Sequence, residues 1–145
     1  MTRFIFSPMH TNSRGVVKPS LFEHVHTRGC SVQRDSIAND AEITSFVTNF
    51  LNDGDDRVWL GAVSAKCSDV RDIRIDGDKD RAMCVFDTAE PNNPSHGEIC
   101  RARVVDEADK AELRHSLWKA FNGSVVIKPS DYRMGRPMDR APNKN

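Results

Sequence analysis

Apolar residues recur at helical spacing in two stretches of the chain and at strand spacing in several others. Ile43, Phe46, Val47, Phe50 and Leu51 follow Asn39 and Glu42, an Asn-led capping box, and Asn52-Asp53-Gly54 closes the segment. The second stretch runs over 107–122. Asp106 is its N-cap, acidic residues fill its first turn, and Gly123 ends it. Leu113, Leu117 and Phe121 lie at i, i+4 and i+8, with Ala111 and Trp118 widening the face. Both stripes read as core faces, with Trp59 and Trp118 in packing roles.

Strands are expected at 3–6 (RFIF), 30–34 (CSVQR), 58–65 (VWLGAVSA) and 98–105 (EICRARVV). The continuous apolar run of 58–65 reads as a central strand. Segments 72–75 and 82–86 flank the polar DGDKD as a hairpin, and 125–127 reads as a short last strand. Residues 7–19 and the Pro/Asn/Gly-rich FDTAEPNNPSHG read as loops. Two strands, a helix, a run of strands and a helix give an α+β fold, a mainly antiparallel sheet packed with two main helices. A doubly wound parallel sheet does not fit, because no helices separate the central strands. Residues 1–127 form one domain. Residues 128–145, with three prolines and five basic residues against two acidic ones, form a basic tail, flexible or docked on a partner.

Length and charge narrow the function classes. At 145 residues one core is expected. Lys plus Arg and Asp plus Glu are both 21, so no global basic excess advertises nucleic acid or membrane, and an anionic partner must meet a local patch. No stretch approaches the roughly 20 apolar residues of a membrane span, and the apolar run of MTRFIFSPMH is too short for a signal peptide. A cytoplasmic protein is expected, with Cys30, Cys67, Cys84 and Cys100 as reduced, packed thiols.

The densest polar concentration lies in the first 34 residues. His10, Ser13, Arg14, Lys18, Ser20, His24, His26, Arg28, Ser31 and Arg34 read either as an anion pocket or as an ordinary solvated loop. From this set His10, Arg14, Ser20 and Arg34 are the ligand-binding candidates. His24-x-His26 places two imidazoles on one face if extended, short of the three or four ligands zinc takes, so no metal site is assigned. His96 and Glu98 at i, i+2 offer an acid/base pair, against a plain turn with an exposed Glu98. With Ser31 they are the catalytic candidates.

Three resemblances add to this. Gly97-Glu98-Ile99-Cys100 is similar to the G-x-I-C setting of ubiquitin-conjugating enzymes, but the HPN tripeptide and the upstream proline-rich pattern are missing, and a nucleophilic Cys100 needs a depressed pKa and access. Pro19-Ser20-Leu21-Phe22, Gly29-Cys30-Ser31-Val32-Gln33-Arg34 and Asn93-Pro94-Ser95-His96-Gly97-Glu98-Ile99 resemble a set of small uncharacterised bacterial proteins. Those carry an N-terminal Arg strand followed by P-S-x-F, G-x-S-V and N-P-x-H-x-x-[IV] segments. That likeness covers most of residues 3–104 and implies that the three segments converge in space. Finally, Arg3 or His10, then Ser31, then Glu98 resembles small ADP-ribosyltransferase-like domains, which place a basic residue on a first strand, a Ser on a later one and a Glu near the end. The aromatic-rich contexts of the well-known subfamilies are absent.

Two function classes follow. One is a small binding or regulatory module working within a bacterial complex, docking a protein through its tail, with nucleic acid reached only through the same basic tail. The other is an enzyme acting on a nucleotide-like or phosphorylated ligand. The sequence names no cofactor.

Overall fold

The computed structural model describes residues 1–52, 56–75, 79–102 and 106–129. The expected tail falls almost wholly outside them. Among the described residues the sheet has five strands, β1 (Thr2–Ser7), β2 (Cys30–Gln33), β3 (Val58–Ser64), β4 (Met83–Asp87) and β5 (His96–Arg101), in the order β3-β1-β2-β5-β4. Every pairing is antiparallel, so the α+β class holds. No described helix is long and apolar enough to cross a membrane.

The alternation of β1 builds a core on each face of the sheet. Phe4 and Phe6 face helix α1 (Asp40–Asn52) and pack with Ile43, Val47 and Ala62. Ile5 faces the other way, into a larger cluster with Leu21, Phe22, Val32, Val63 and Ile99. Helix α3 (Glu107–Ala120) closes that side with Leu113 and Leu117, and Phe121 just beyond it meets Phe22 at 4.9 Å between ring centres. Each fully buried Phe or Leu contributes about 1.5–3 kcal/mol. The helix starts form as their caps dictate. Asn39 Oδ1 accepts from the Glu42 amide at 3.0 Å while its Nδ2 donates to Glu42 Oε1 at 2.6 Å, and Asp106 Oδ1 accepts from the Asp109 amide at 2.9 Å.

Four sequence expectations change. The 58–65 run is apolar because both faces of β3 are covered, yet β3 lies at the end of the strand order. Among the described residues its outer side is met by Ile127, which exchanges hydrogen bonds of 2.9 and 2.8 Å with Ala62, so 125–127 supplies a single bridge rather than a strand. A Cβ at Gly61, where φ is +133°, would collide with the Ile127 carbonyl. Residues 72–75 are not a hairpin arm. A short helix α2 (Cys67–Arg71) precedes them, and Ile73 and Ile75 tuck into the core, with only the Ile73 carbonyl reaching the Ala82 amide. The segment Pro19–His26 is a pair of 3₁₀ turns kinked at Phe22, not extended, so His24 and His26 do not share a face as strand neighbours. His26 is buried with Nε2 on the Lys110 carbonyl, and His24 is exposed.

Candidate functional site

β1 and β2 meet at one residue pair, Thr2 opposite Gln33, whereas β1 and β3 run together over the whole of β1. Beyond Thr2 the strands part, and Arg3 bridges the opening. Its Nε donates to the Leu21 carbonyl at 3.0 Å and one terminal nitrogen to the Ser31 carbonyl at 2.6 Å, with the guanidinium 5.8 Å from the Phe22 ring centre. Charge-assisted bonds to two carbonyls hold the guanidinium in one place. Burial lowers its pKa from the ordinary value, and nearby Cys30 opposes that.

On the other side of the split, antiparallel register puts Ser31 of β2 directly opposite Glu98 of β5. Opposed residues share a face with Cβ atoms about 4.5–5.5 Å apart. Glu98 lies over Gly29, where φ is +85° and an added Cβ would stand 2.7 Å from both Cδ and Oε1 of Glu98. Gly29 is therefore required twice, by a left-handed backbone at the end of the 3₁₀ turns and by the carboxylate resting on it.

These residues open on a cavity of about 460 Å³, within the range of small-molecule sites. Arg3, Ser31 and Glu98 all line it, as do Arg28 and Arg57. Among the described lining residues three arginines stand against one carboxylate, a balance that favours an anion. The opposite wall is aromatic: Phe46 and Phe50 of α1 reach over β1, with Phe6 and Phe50 rings stacked at 4.2 Å. Arg57 donates to the Phe50 carbonyl at 3.0 Å and lies 4.5 Å over its ring. At the rim Arg28 meets His24 Nε2 at 3.1 Å.

His10 completes the lining and is only 8% exposed. Its Nδ1 accepts from the Phe6 amide at 3.1 Å. Burial, then Arg3, His24, Lys18 and Arg57, push its pKa down to about 3. The ring is thus neutral at ordinary pH, with its proton on Nε2. As a ligand-binding candidate His10 stays in the site, but as a neutral donor and not as a cation for an anion.

The other nominated residues lie elsewhere. Arg34 bonds Asp87 and the Pro94 carbonyl, with Nε on the Ser95 carbonyl at 3.4 Å. Ser95, fully buried, donates to Gln33 at 2.5 Å. His96 Nδ1 meets Thr88 Oγ1 at 2.8 Å. These groups clasp the β4–β5 loop onto β2, and neither Arg34 nor His96 is among the cavity's lining residues. The His96–Glu98 acid/base pair is divided accordingly, with Glu98 alone on the cavity. Arg14 sits in an exposed turn with its amide on Asn12 Oδ1, and Ser20 opens the 3₁₀ turns; neither lines the cavity. Segments 29–34 and 93–99 are joined through β2–β5 pairing and this clasp, and Leu21 and Phe22 of 19–22 pack with Val32 and Ile99 in one core cluster. Burial, then Glu98, raises the Cys100 pKa, opposite to what a nucleophilic thiol needs. Among the described residues no group of three or more His, Cys, Asp or Glu is placed to hold a metal ion.

Sequence reading passed over Arg57 and Gly29 and counted Phe46 and Phe50 as core. One signal was available: the helix stripe is wider than a core face of Ile43 and Val47 needs, and its two extra aromatics sit at i, i+4. No family model, curated protein or solved structure matches the chain. The fold and site thus define a class only: an antiparallel α+β domain with a cation-rich, aromatic-walled cleft where its sheet splits.

Proposed function

We propose that the chain is an enzyme acting on a phosphorylated, nucleotide-like ligand, of the ADP-ribosyltransferase type. One observation carries this reading: Arg3, Ser31 and Glu98, on β1, β2 and β5 in that order, line a single cavity. That is the residue order through which the sequence resembles ADP-ribosyltransferase-like domains, and the cavity chemistry agrees with it. The guanidinium groups suit phosphate oxygens, the Ser31 hydroxyl suits a sugar hydroxyl, and the aromatic wall suits a flat base. Glu98 would stabilise the positive charge that develops on the sugar as the glycosidic C–N bond breaks, the base leaving with the bonding pair and water, or an acceptor hydroxyl, forming the new bond to the anomeric carbon and losing its proton. The alternative, a binding or regulatory module within a bacterial complex, rests on the balanced charge, the lack of a complete catalytic or metal motif and the basic tail, most of which lies outside the described residues.

The test is direct. NAD⁺ at 100 times its dissociation constant should stabilise the protein by about 2.7 kcal/mol. Nicotinamide release, followed by chromatography, should occur with wild type and fall sharply with Glu98→Gln. Neither stabilisation nor release with NAD⁺, together with no shift from ADP-ribose, would leave the binding-module reading in its place.

A further inference from the structure

Resting on that reading, we propose that His10 is the specificity-determining donor of the cleft, presenting Nε2–H to an acceptor atom on a flat heteroaromatic ring packed against Phe46 and Phe50. The geometry fixes the donor. The Phe6 amide donates to Nδ1, so the neutral imidazole must carry its proton on the other nitrogen. Protonating Nδ1 as well would break that bond and leave a buried amide unpaired, beside a cavity already holding Arg3, Arg28 and Arg57. The charged and titratable groups that act on His10 through space, Arg3, His24, Lys18 and Arg57, are all basic and disfavour an imidazolium, while Glu98 lines the same cavity. The Phe6 ring lies 6.2 Å from the His10 ring centre, tilted by 56°, and stacks on Phe50 at 4.2 Å, which puts aromatic surface beside the donor. A single neutral donor on an aromatic wall suits a ring nitrogen or ring carboxamide better than a phosphate, which the arginines serve.

Two rings share this chemistry, a purine and a pyridine carboxamide, and half-ligands separate them. ADP-ribose carries only the purine, and nicotinamide mononucleotide only the carboxamide. Binding of both is measured calorimetrically with wild type, His10→Asn and His10→Gln. Asn places its Oδ1 near the position of Nδ1 and keeps the Phe6 bond, but does not reach the cleft. Gln places Nε2 near the lost donor. One of the two ligands should bind His10→Asn about tenfold more weakly, and His10→Gln should restore it to within about twofold. The affected ligand identifies the ring. Unchanged affinity of both ligands for His10→Asn overturns this role and leaves the cleft reading standing. Equal loss of both, or a loss that Gln does not restore, also overturns it, because the effect then is not the donor's contact with a ring. Absence of binding to wild type removes the cleft reading and this inference together. Independently of ligand, ¹⁵N spectra should show His10 protonated on Nε2 alone from about pH 4.5 to 8; titration near its ordinary value of about 6.5 overturns the geometry.

Discussion

Two polar clusters flank β2, and they differ in what their side chains leave over. In the clasp, Arg34 has spent its guanidinium on Asp87, Pro94 and Ser95, and Ser95 and His96 have partners within the protein. In the cleft, Ser31 is exposed, Glu98 rests on a glycine, and His10 lines the cavity while its Nδ1 accepts from the Phe6 amide. Both clusters contain Arg, Ser and His. Residue type does not separate structure from chemistry here; the hydrogen bonds already made within the fold do.

The comparison can be broken by substitution, most strongly at Glu98. Glu98→Gln keeps shape and removes charge, so nicotinamide release should fall at least about 100-fold with ligand binding retained. Retained turnover would place the chemistry outside the cleft. Gly29→Ala comes next. Its methyl meets the Glu98 carboxylate and its φ is costly for Ala, so activity should drop as with Glu98→Gln and stability by about 1–3 kcal/mol in denaturant melts.

The clasp should respond in the opposite sense. Ser95→Ala leaves the buried Gln33 acceptor unpaired and should cost about 1–3 kcal/mol, and Arg34→Ala about 1–2 kcal/mol because its Asp87 partner is largely exposed. Both should bind ADP-ribose within about twofold of wild type; a large binding loss with unchanged stability would reverse the roles of the two clusters.

The effect that is smallest at neutral pH is on acid stability. The folded pKa of His10 lies below its ordinary value, so the unfolded chain takes the proton first. Its contribution is full above about pH 6.5 and is lost as pH falls toward about 3, at up to about 1.4 kcal/mol per pH unit. His26, also lowered by burial, acts in the same direction. His10→Asn should therefore show a shallower acid-side slope in melts between pH 6.5 and 4.

Much of the fold was legible because it rests on local rules. The Asn39 and Asp106 caps, the Leu113–Leu117–Phe121 stripe and the first strand over 3–6 each appear in the structure as the pattern dictates. The packing role of 72–75 was not legible, because Asp-Gly turn chemistry between short apolar runs suggested a hairpin and could not reveal that Ile73 and Ile75 serve the core as plugs. At the site, Ser31 and Glu98 were found from residue order, while Arg34 and His96 looked equally reactive.

The sequence by itself determined the helices, most strands, the α+β class and the types of residue on which any chemistry must draw, because propensity, capping and periodicity act over a few neighbours. Only the tertiary structure decided that β1 and β2 part after Thr2, that Arg3 spans the gap, and that Arg34 is consumed while Glu98 is not. Those outcomes depend on strand register and on competition for hydrogen-bond partners between segments 18 to 61 residues apart, which no local pattern encodes.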